Sequence, residues 1–549
     1  MDNQNEQMAE LLFPHIKKTT DFYETVYPQR KLAEGALVTR LAPSPTGFIH
    51  LGNLYTAFAN ERLAHQSGGI FYLRIEDTDS KREVEGATES LIHSLGRFDL
   101  RFDEGVTDDG EVGDYGPYYQ SRRADIYQCY VKKLVSEGKA YPCFLTEEEI
   151  AEIREKQEAS RLTPGIYGEW AVHRTLSLNE VKEKVLNCEP YVMRFCADMT
   201  EKQPIPDIEV EDGVRGVITM PANALDVVIL KTNGLPTYHF AHVIDDHLMR
   251  TTHVVRGEEW LSSLPVHVAL FKALNWEAPI YCHTTVLMKA EGGTKRKLSK
   301  RKDPELSLNY YRKEGYHPEA LKEYLMTILN SNYEEWRADH PHAPIEEFVF
   351  TIEKMSNSGI LFDIDKLRDI SKDCLLRIPA VDLADFLIEW ALEVKPEAGA
   401  IIGRDRQYLT RILDIGRSAE KPRKDLEFAG QILVFISYFY DVWFEIQDEW
   451  PENVPEADIR KLLNGYLKTY DHLDPQPVWF DKIRKLSIEF GYASKPKDYK
   501  KSPELYKGHV GDVSTVIRIA ITGRKSSPDI WEIQQILGKD RVISRIVSI

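Results

Sequence analysis

Two short apolar, β-branched runs, residues 36–41 and 70–75, flank a Pro/Gly-rich loop and one helix-length segment. In that segment Leu54, Ala57, Phe58, Leu63 and Ala64 recur near helical spacing, and Gly68 and Gly69 end it. Strand, helix and strand in so short a stretch point to a parallel βαβ unit, because parallel strands need a crossover and a helix supplies it. The spacing therefore predicts an α/β domain with a Rossmann-like parallel sheet. Nucleotides bind such sheets at the carboxyl ends of the strands, which is where the loop at 42–52 would sit.

A chain of 549 residues is too long for one hydrophobic core, so several domains are expected. Residues 1–35 read as a polar, partly helical extension, and 36–116 as the first half of the α/β domain. Residues 117–216 mix helices with strands such as 191–195 and read as an insertion. Apolar strands return at 226–230 and 253–256 around a helical Tyr238–Leu248, so 217–303 resume the α/β domain. A connecting domain at 304–378 and a helical domain at 379–549 complete the chain, with helices expected near 317–331, 380–394, 405–416, 427–446 and 511–523.

Hydrophobic residues at 42% and charged residues at 29% are ordinary for a globular protein, which excludes pervasive disorder. The run 432–444 contains Asp441 and is too short to span a bilayer, so it reads as a buried helix and no membrane partner is expected. Asp2, Glu6 and Glu10 replace the basic start of a secretory signal, so a cytoplasmic location is expected. The six cysteines lack the paired short spacings of zinc or redox motifs, and they are expected to be reduced and buried. A net charge of −17 does not exclude a nucleic-acid partner, because binding depends on local patches, and 295–302, 421–424 and 495–501 are basic.

In the loop 42–52, His50 and Gly52 fall at a helix N-terminus, where unpaired N–H groups and the helix dipole favour phosphate. Gly52 leaves the backbone open to approach, and His50 can donate to a phosphate oxygen. Neither a Walker loop nor a dinucleotide loop is present. Far downstream, after Gly292 and Gly293, Lys297, Leu298, Ser299, Lys300 and Arg301 form a basic loop. Mobile lysines can neutralise charge on a departing pyrophosphate. Either motif alone is compatible with an ordinary turn or a basic surface loop.

Together, in this order, the two loops resemble the paired ATP signatures of class I aminoacyl-tRNA synthetases. Further stretches resemble the glutamyl-tRNA synthetases in particular: RLAPSPTG at 40–47, RIEDTD at 74–79, PYYQS at 117–121, PTYHFA at 236–241, RGEEW at 256–260 and KLSKR at 297–301. The similarity begins near residue 36 and continues to the C-terminus, weaker beyond Leu375, where IAITG at 519–523 carries it.

The resemblance implies attachment of L-glutamate to tRNA(Glu), through a glutamyl-adenylate made from ATP. It implies that Arg40, Tyr238 and Arg256 face the glutamate side chain, that Glu76 meets the α-amino group, and that Ser44 and His242 complete the pocket. Pro43, His50, Gly52, Glu259, Lys297, Ser299 and Lys300 would meet ATP, and His50, Gly52, Lys297 and Lys300 would carry the catalysis. Such chemistry needs positioning and electrostatic stabilisation, with no covalent nucleophile from the protein. A bidentate arginine is also what separates a glutamate side chain from glutamine. Mg²⁺ is expected with ATP. The insertion would grip the tRNA acceptor end and the helical domain would read the anticodon, with Arg417 and Arg423 as candidate readers. A monomer is expected.

Two positions depart from the family pattern: Asn53 replaces the second histidine of the first signature, and His242 stands where many relatives carry asparagine. At Cys143 the second thiol of a family zinc site is missing, so no zinc is expected. PSPTG at 43–47 and the helical tail oppose the glutaminyl enzymes, and the tail also opposes a truncated paralogue that modifies a tRNA base. Intact His50, Gly52, Lys297 and Lys300 oppose a non-catalytic tRNA-binding relative. Charging of tRNA(Gln) with glutamate as well stays open.

Overall fold

A computed structural model of the chain describes residues 2–45, 47, 49–79, 84–197, 205–299 and 301–549. The chain divides into two compact units, the first Met1–Leu308 with Leu325–Asp363 and the second Asn309–Tyr324 with Ile364–Ile549.

The first unit is built on the predicted βαβ motif. Strand β1 (Val38–Leu41) leads through the loop into helix α3 (Leu51–Gln66) and on to β2 (Ile70–Leu73), after two helices, α1 (Asp2–Leu12) and α2 (Thr20–Val26), that precede it. β1 and β2 are parallel, Val38 opposite Ile70, and every β1 residue is buried. Burial on both faces explains the near-continuous apolar character of the run. β3 (Glu104–Thr107) adds in parallel and β4 (Gly110–Val112) antiparallel. α3 is tied to this sheet and its neighbour by Thr39 Oγ1, which donates to Asn60 O (2.7 Å), and Asn60 Nδ2, which donates to Val255 O (3.3 Å).

Beyond helices α4 (Ala87–Gly96) and α5 (Ala124–Ser136), strand β5 (Ala140–Cys143), α6 (Glu147–Ala159), α7 (Leu178–Leu186) and β6 (Val192–Phe195) form most of the insertion. Its third strand is β9 (Val228–Leu230), antiparallel to β6. The strand expected at 226–230 therefore belongs to the insertion's sheet. Conversely the hairpin β7 (Asp207–Asp212) and β8 (Gly216–Pro221) joins β10 (His253–Gly257) and β11 (Ile280–Thr284) in the order β10-β11-β7-β8. A boundary at 216/217 would cut that hairpin. An apolar run looks the same to local pattern whichever sheet it enters, so the exchange was not legible. Buried Asp226 locks the insertion, accepting from Tyr141 OH (2.7 Å), Arg174 Nε (2.6 Å) and Ala197 N (2.9 Å).

Residues 1–35, partly helical, are likewise part of this unit. Ala9, Leu12, Phe13, Ile16, Tyr23 and Tyr27 are buried. Arg30 makes a two-pronged pair with Glu104 (2.7 and 2.9 Å), and Glu24 accepts from Arg250 Nη2 (2.8 Å). The expected connecting domain at 304–378 is also divided. Its 325–363 stretch joins the first unit because β14 (Ile360–Leu361) pairs with β12 (Leu287–Glu291), and because Arg62 and Gln66 donate to the carbonyls of Glu346 and Phe350.

The second unit is helical, as predicted, with Ala380–Val394, Arg406–Asp414 and Val510–Thr522 at the expected places. Its core gathers Leu387, Trp390, Leu409, Ile432, Leu462, Ile483, Val516 and Ile533. The helix expected over 427–446 stops at Phe435. A 3-10 turn, Ser437–Phe439, follows; it buries Tyr438 and Phe439 and brings Asp441 to Arg545 (2.9 Å) and Arg541 (3.1 Å).

Candidate functional site

A cleft of about 870 Å³ opens at the carboxyl ends of β1 and β10. It is lined by Ala42, Pro43, Ser44, Pro45, Gly47, Ile49 and His50 and by the start of α3. His50 is the N-cap residue: its Nδ1 accepts from Asn53 N (3.3 Å), and Asn53 Oδ1 accepts from His50 N (3.2 Å). This reciprocal capping box satisfies two of the orphan donors of the helix start and fixes the imidazole at the cleft wall. Asn53, a departure from the family signature, thus completes the cap. A Cβ on Gly52 would lie 3.1 Å from the His50 ring, so glycine also makes room for that ring.

The β1 and β2 side of the cleft is an ion-pair network. Asp246, wholly buried on helix α8 (Tyr238–Leu248), accepts from Arg74 Nη1 (2.6 Å) and lies 3.3 Å from Arg40 Nε. Arg74 also donates to Glu76 Oε1 (3.1 Å), while Asp245 holds Arg123 (2.7 Å), Gln120 and Tyr127 (both 2.8 Å). Burial raises the Asp246 carboxyl, but Arg40 and Arg74 outweigh it and hold it below the ordinary value. Glu76 is raised by burial despite both arginines. Arg40 and Glu76 both face the cleft.

The β10 and β11 side is built of neutral rings. Arg256, at the end of β10, donates from Nε to His283 Nε2 (3.0 Å), and its Nη1 lies 3.3 Å from His267 Nδ1 and 3.5 Å from Tyr238 OH. It lies over the Tyr281 ring at 4.7 Å. Tyr238 packs against Trp260 with the rings tilted (centroids 4.4 Å apart), and burial pushes its phenol up to about 12. His239, His267 and His283 are held below the usual histidine range, chiefly by burial.

Opposite the α3 N-terminus, β12 and β13 (Thr294–Lys297) form a hairpin whose turn residues Gly292 and Gly293 both have positive φ (57° and 83°). A two-residue turn of that kind matches strand twist and requires glycine-like residues. The loop after β13 is anchored: Asp303 takes both Arg296 Nη atoms (2.6 and 2.8 Å) and Ser299 N (2.8 Å), and these bonds pull its carboxyl well down. Lys297 and Glu259 line the cleft. Glu258 does not compete with Glu259, since it is paired with Arg215 and accepts from Val286 N (3.1 Å).

Residues 36–369 match the family described as tRNA synthetases class I (E and Q), catalytic domain. Residues 504–549 match the anticodon binding domain. The chain is 58% identical over 541 residues to a glutamate–tRNA ligase of Acetivibrio thermocellus, covering 98% of both chains. It is 46% identical to one of Clostridium perfringens, over 98% of this chain and all of that one. The chain belongs to the glutamyl-tRNA synthetase family. A crystal structure of a glutamate tRNA ligase from Elizabethkingia meningosepticum, in complex with its amino acid, superposes on this family member with a TM-score of 0.73 at 28% identity, covering 93% of this chain and 98% of that one.

The expected residues of this glutamyl-tRNA synthetase relative divide clearly. Arg40, Pro43, Ser44, His50, Gly52, Glu76, Tyr238, Arg256, Glu259 and Lys297 line one cleft. His242 does not reach it. One turn beyond Tyr238 on α8, it is wholly buried behind that ring, against His267 (4.4 Å), with Nε2 3.0 Å from Tyr281 OH. Its Nδ1 is 3.1 Å from Asp246 but off the direction of a hydrogen bond. Ser299 lies off the cleft lining, bonded to Asp303, and Lys300 falls outside the described residues.

Arg417 gives its Nη2 to the carbonyls of Leu375 and Leu376 (both 2.9 Å) and Ile378, closing the end of the helix Ile364–Arg377. Arg423 pairs with Asp425. Both are engaged within the unit in this conformation. Trp260 and Lys231 were missed. The RGEEW stretch contained Trp260. Nothing local marks Lys231, whose ammonium donates to Thr78 O and is lowered by burial.

Proposed function

We infer that this chain joins L-glutamate to tRNA(Glu) in two steps: the glutamate α-carboxylate attacks the α-phosphorus of ATP and displaces pyrophosphate, and a ribose hydroxyl of the tRNA 3′ end then attacks the acyl carbon of the glutamyl-adenylate and releases AMP. The observation that carries the reading is the single cleft in which two arginines, a tyrosine and a carboxylate adjoin a capped helix N-terminus and Lys297. Arg40 and Arg256 bind the side-chain carboxylate with Tyr238, Glu76 receives the α-ammonium, and Ser44 adds a hydrogen bond. His50, the backbone N–H at Gly52, and Lys297 with Lys300 hold the phosphates, where fixed donors stabilise the charge that develops in transfer, and Pro43 packs against the nucleotide. Glu259 and the 297–301 loop complete the nucleotide site.

Mg²⁺ arrives on ATP. A cation that keeps its waters and phosphate oxygens needs few protein ligands, and no group of three or more His, Cys, Asp or Glu able to hold a metal occurs among the described residues. The insertion takes the acceptor end and the helical unit the anticodon. No helix among the described residues is long and apolar enough to cross a membrane.

The deciding experiment incubates the protein with ATP, Mg²⁺, tRNA and labelled glutamate or glutamine, and measures aminoacylated tRNA. Charging with glutamate alone is expected; charging with glutamine alone overturns the reading. Lys300→Ala is expected to slow activation while leaving glutamate binding nearly unchanged, and an unaltered rate would remove that loop from the mechanism.

A further inference from the structure

Arg256 is a buried cation with no carboxylate in ion-pair reach among the described residues; its bonds run to His283, His267, Tyr238 and the Trp260 carbonyl. An arginine is donor-only, so His283 Nε2 must accept and the His283 proton must sit on Nδ1. That nitrogen meets Asp212 Oδ2 at 2.6 Å. Asp212 is itself fixed: it caps the β7–β8 turn by accepting from Val214 N and Arg215 N (both 3.0 Å), and it accepts from His283 N at 3.2 Å. Asp212 and His283 are both buried, and neither lines the cleft.

We propose that Asp212 and His283 form a positioning pair that sets the selectivity for a carboxylate side chain. Asp212 holds His283 in the one tautomer that can accept from Arg256, and His283 aims the guanidinium without neutralising it. A carboxylate bound directly to Arg256 would orient it equally well but would compete with the incoming side chain. The interposed neutral ring keeps the acidic group one residue away, so the charge is left for the substrate. His267 acts likewise from the other side: its Nδ1 accepts from Arg256, which puts its proton on Nε2, 3.1 Å from His239 Nδ1. This deepens the assignment of Arg256 to the glutamate side chain and rests on it.

Two substitutions at one position separate aiming from bulk. In His283→Asn the amide can still meet Asp212 but leaves Arg256 Nε without an acceptor; in His283→Gln the amide oxygen reaches the place of Nε2. In aminoacylation of tRNA by the full-length protein, His283→Asn is expected to raise the KM for glutamate by roughly tenfold to a hundredfold, the range for losing one hydrogen bond to a charged group. The KM for ATP is expected to stay within about twofold, and His283→Gln within about threefold of the parent on glutamate, because an amide oxygen is an adequate acceptor. Asp212→Asn, which removes the preference for the Nδ1–H tautomer, is expected to show the same glutamate-specific loss and a lower preference for glutamate over glutamine.

An unchanged glutamate KM in His283→Asn, an equal rise in both KM values, or a glutamine variant no better than the asparagine one overturns the proposal. Failure of the parent protein to charge tRNA with glutamate instead overturns the functional reading beneath it.

Discussion

Arg40 and Arg256 line one cleft, yet the walls behind them are chemically opposite. Arg40 lies 3.3 Å from Asp246, which it shares with Arg74, and more carboxylates stand next to them. Arg256 is surrounded by imidazoles, a phenol and a carbonyl. A buried charge needs either an opposite charge or hydrogen bonds that satisfy its donors. The first wall uses charge, which makes it a rigid support. The second uses neutral acceptors, which orient the cation and leave its field directed at the cleft. One cleft can therefore contain one arginine that shares its charge with a buried aspartate and another whose charge is left whole.

The hardest blow to this contrast is Asp246→Ala. It strands Arg40 and Arg74 in the interior, and urea unfolding is expected to show a loss of about 3–5 kcal/mol. A loss under about 1 kcal/mol would mean that the network is not a support. Next in size, Arg256→Lys keeps a charge but removes the Nε donor and the planar fork. The expected fall in kcat/KM for glutamate is roughly tenfold to a hundredfold, with stability little changed.

The histidine wall also predicts a response to acid. Burial, with Arg256, Arg40 and Arg74 adding to it, holds His242 well below 6.5, so the folded protein keeps this ring neutral while the unfolded chain protonates it. Its contribution is full above the unfolded value and is lost as pH falls below about 6.5, at up to about 1.4 kcal/mol per pH unit. His242→Asn is expected to flatten the measured stability profile between about pH 6.5 and 5.5 by about 1 kcal/mol. An identical slope in the variant would show that His242 is already charged. Smallest is Asn53→Ala, which breaks half of the His50 capping box and should cost about 0.5–1 kcal/mol by the same unfolding measurement.

The βαβ unit was legible because its evidence is local: an apolar run, a breaker-rich loop, helical spacing and a second run occur in order. The helix Ala380–Val394 was legible through its 3.6-residue period. The 427–446 segment misled the same reasoning, since its aromatic run is apolar enough for a helix but turns to bury Tyr438 and Phe439. In the site, the loops at 42–52 and 297–301 stood out by residue type. His242 was named with the pocket through the resemblance, as the residue that stands where many relatives carry asparagine, and α8 places it one turn deeper, buried behind the Tyr238 ring. The Asp212–His283 link had no signal, since it exists only through the pairing of β7 with β11 at Asp212 and Tyr281.

By itself the sequence determined the α/β class, the helical second half and the residue types gathered at the cleft, because periodicity, turn chemistry and motif spacing act over a few residues. Only the tertiary structure decided which strand enters which sheet, where the two units divide, and whether a cleft arginine is neutralised. Those outcomes depend on burial and hydrogen bonding between residues far apart in the chain. Arg40 and Arg256 look alike in sequence, and they differ because one is folded against aspartate and the other against histidine.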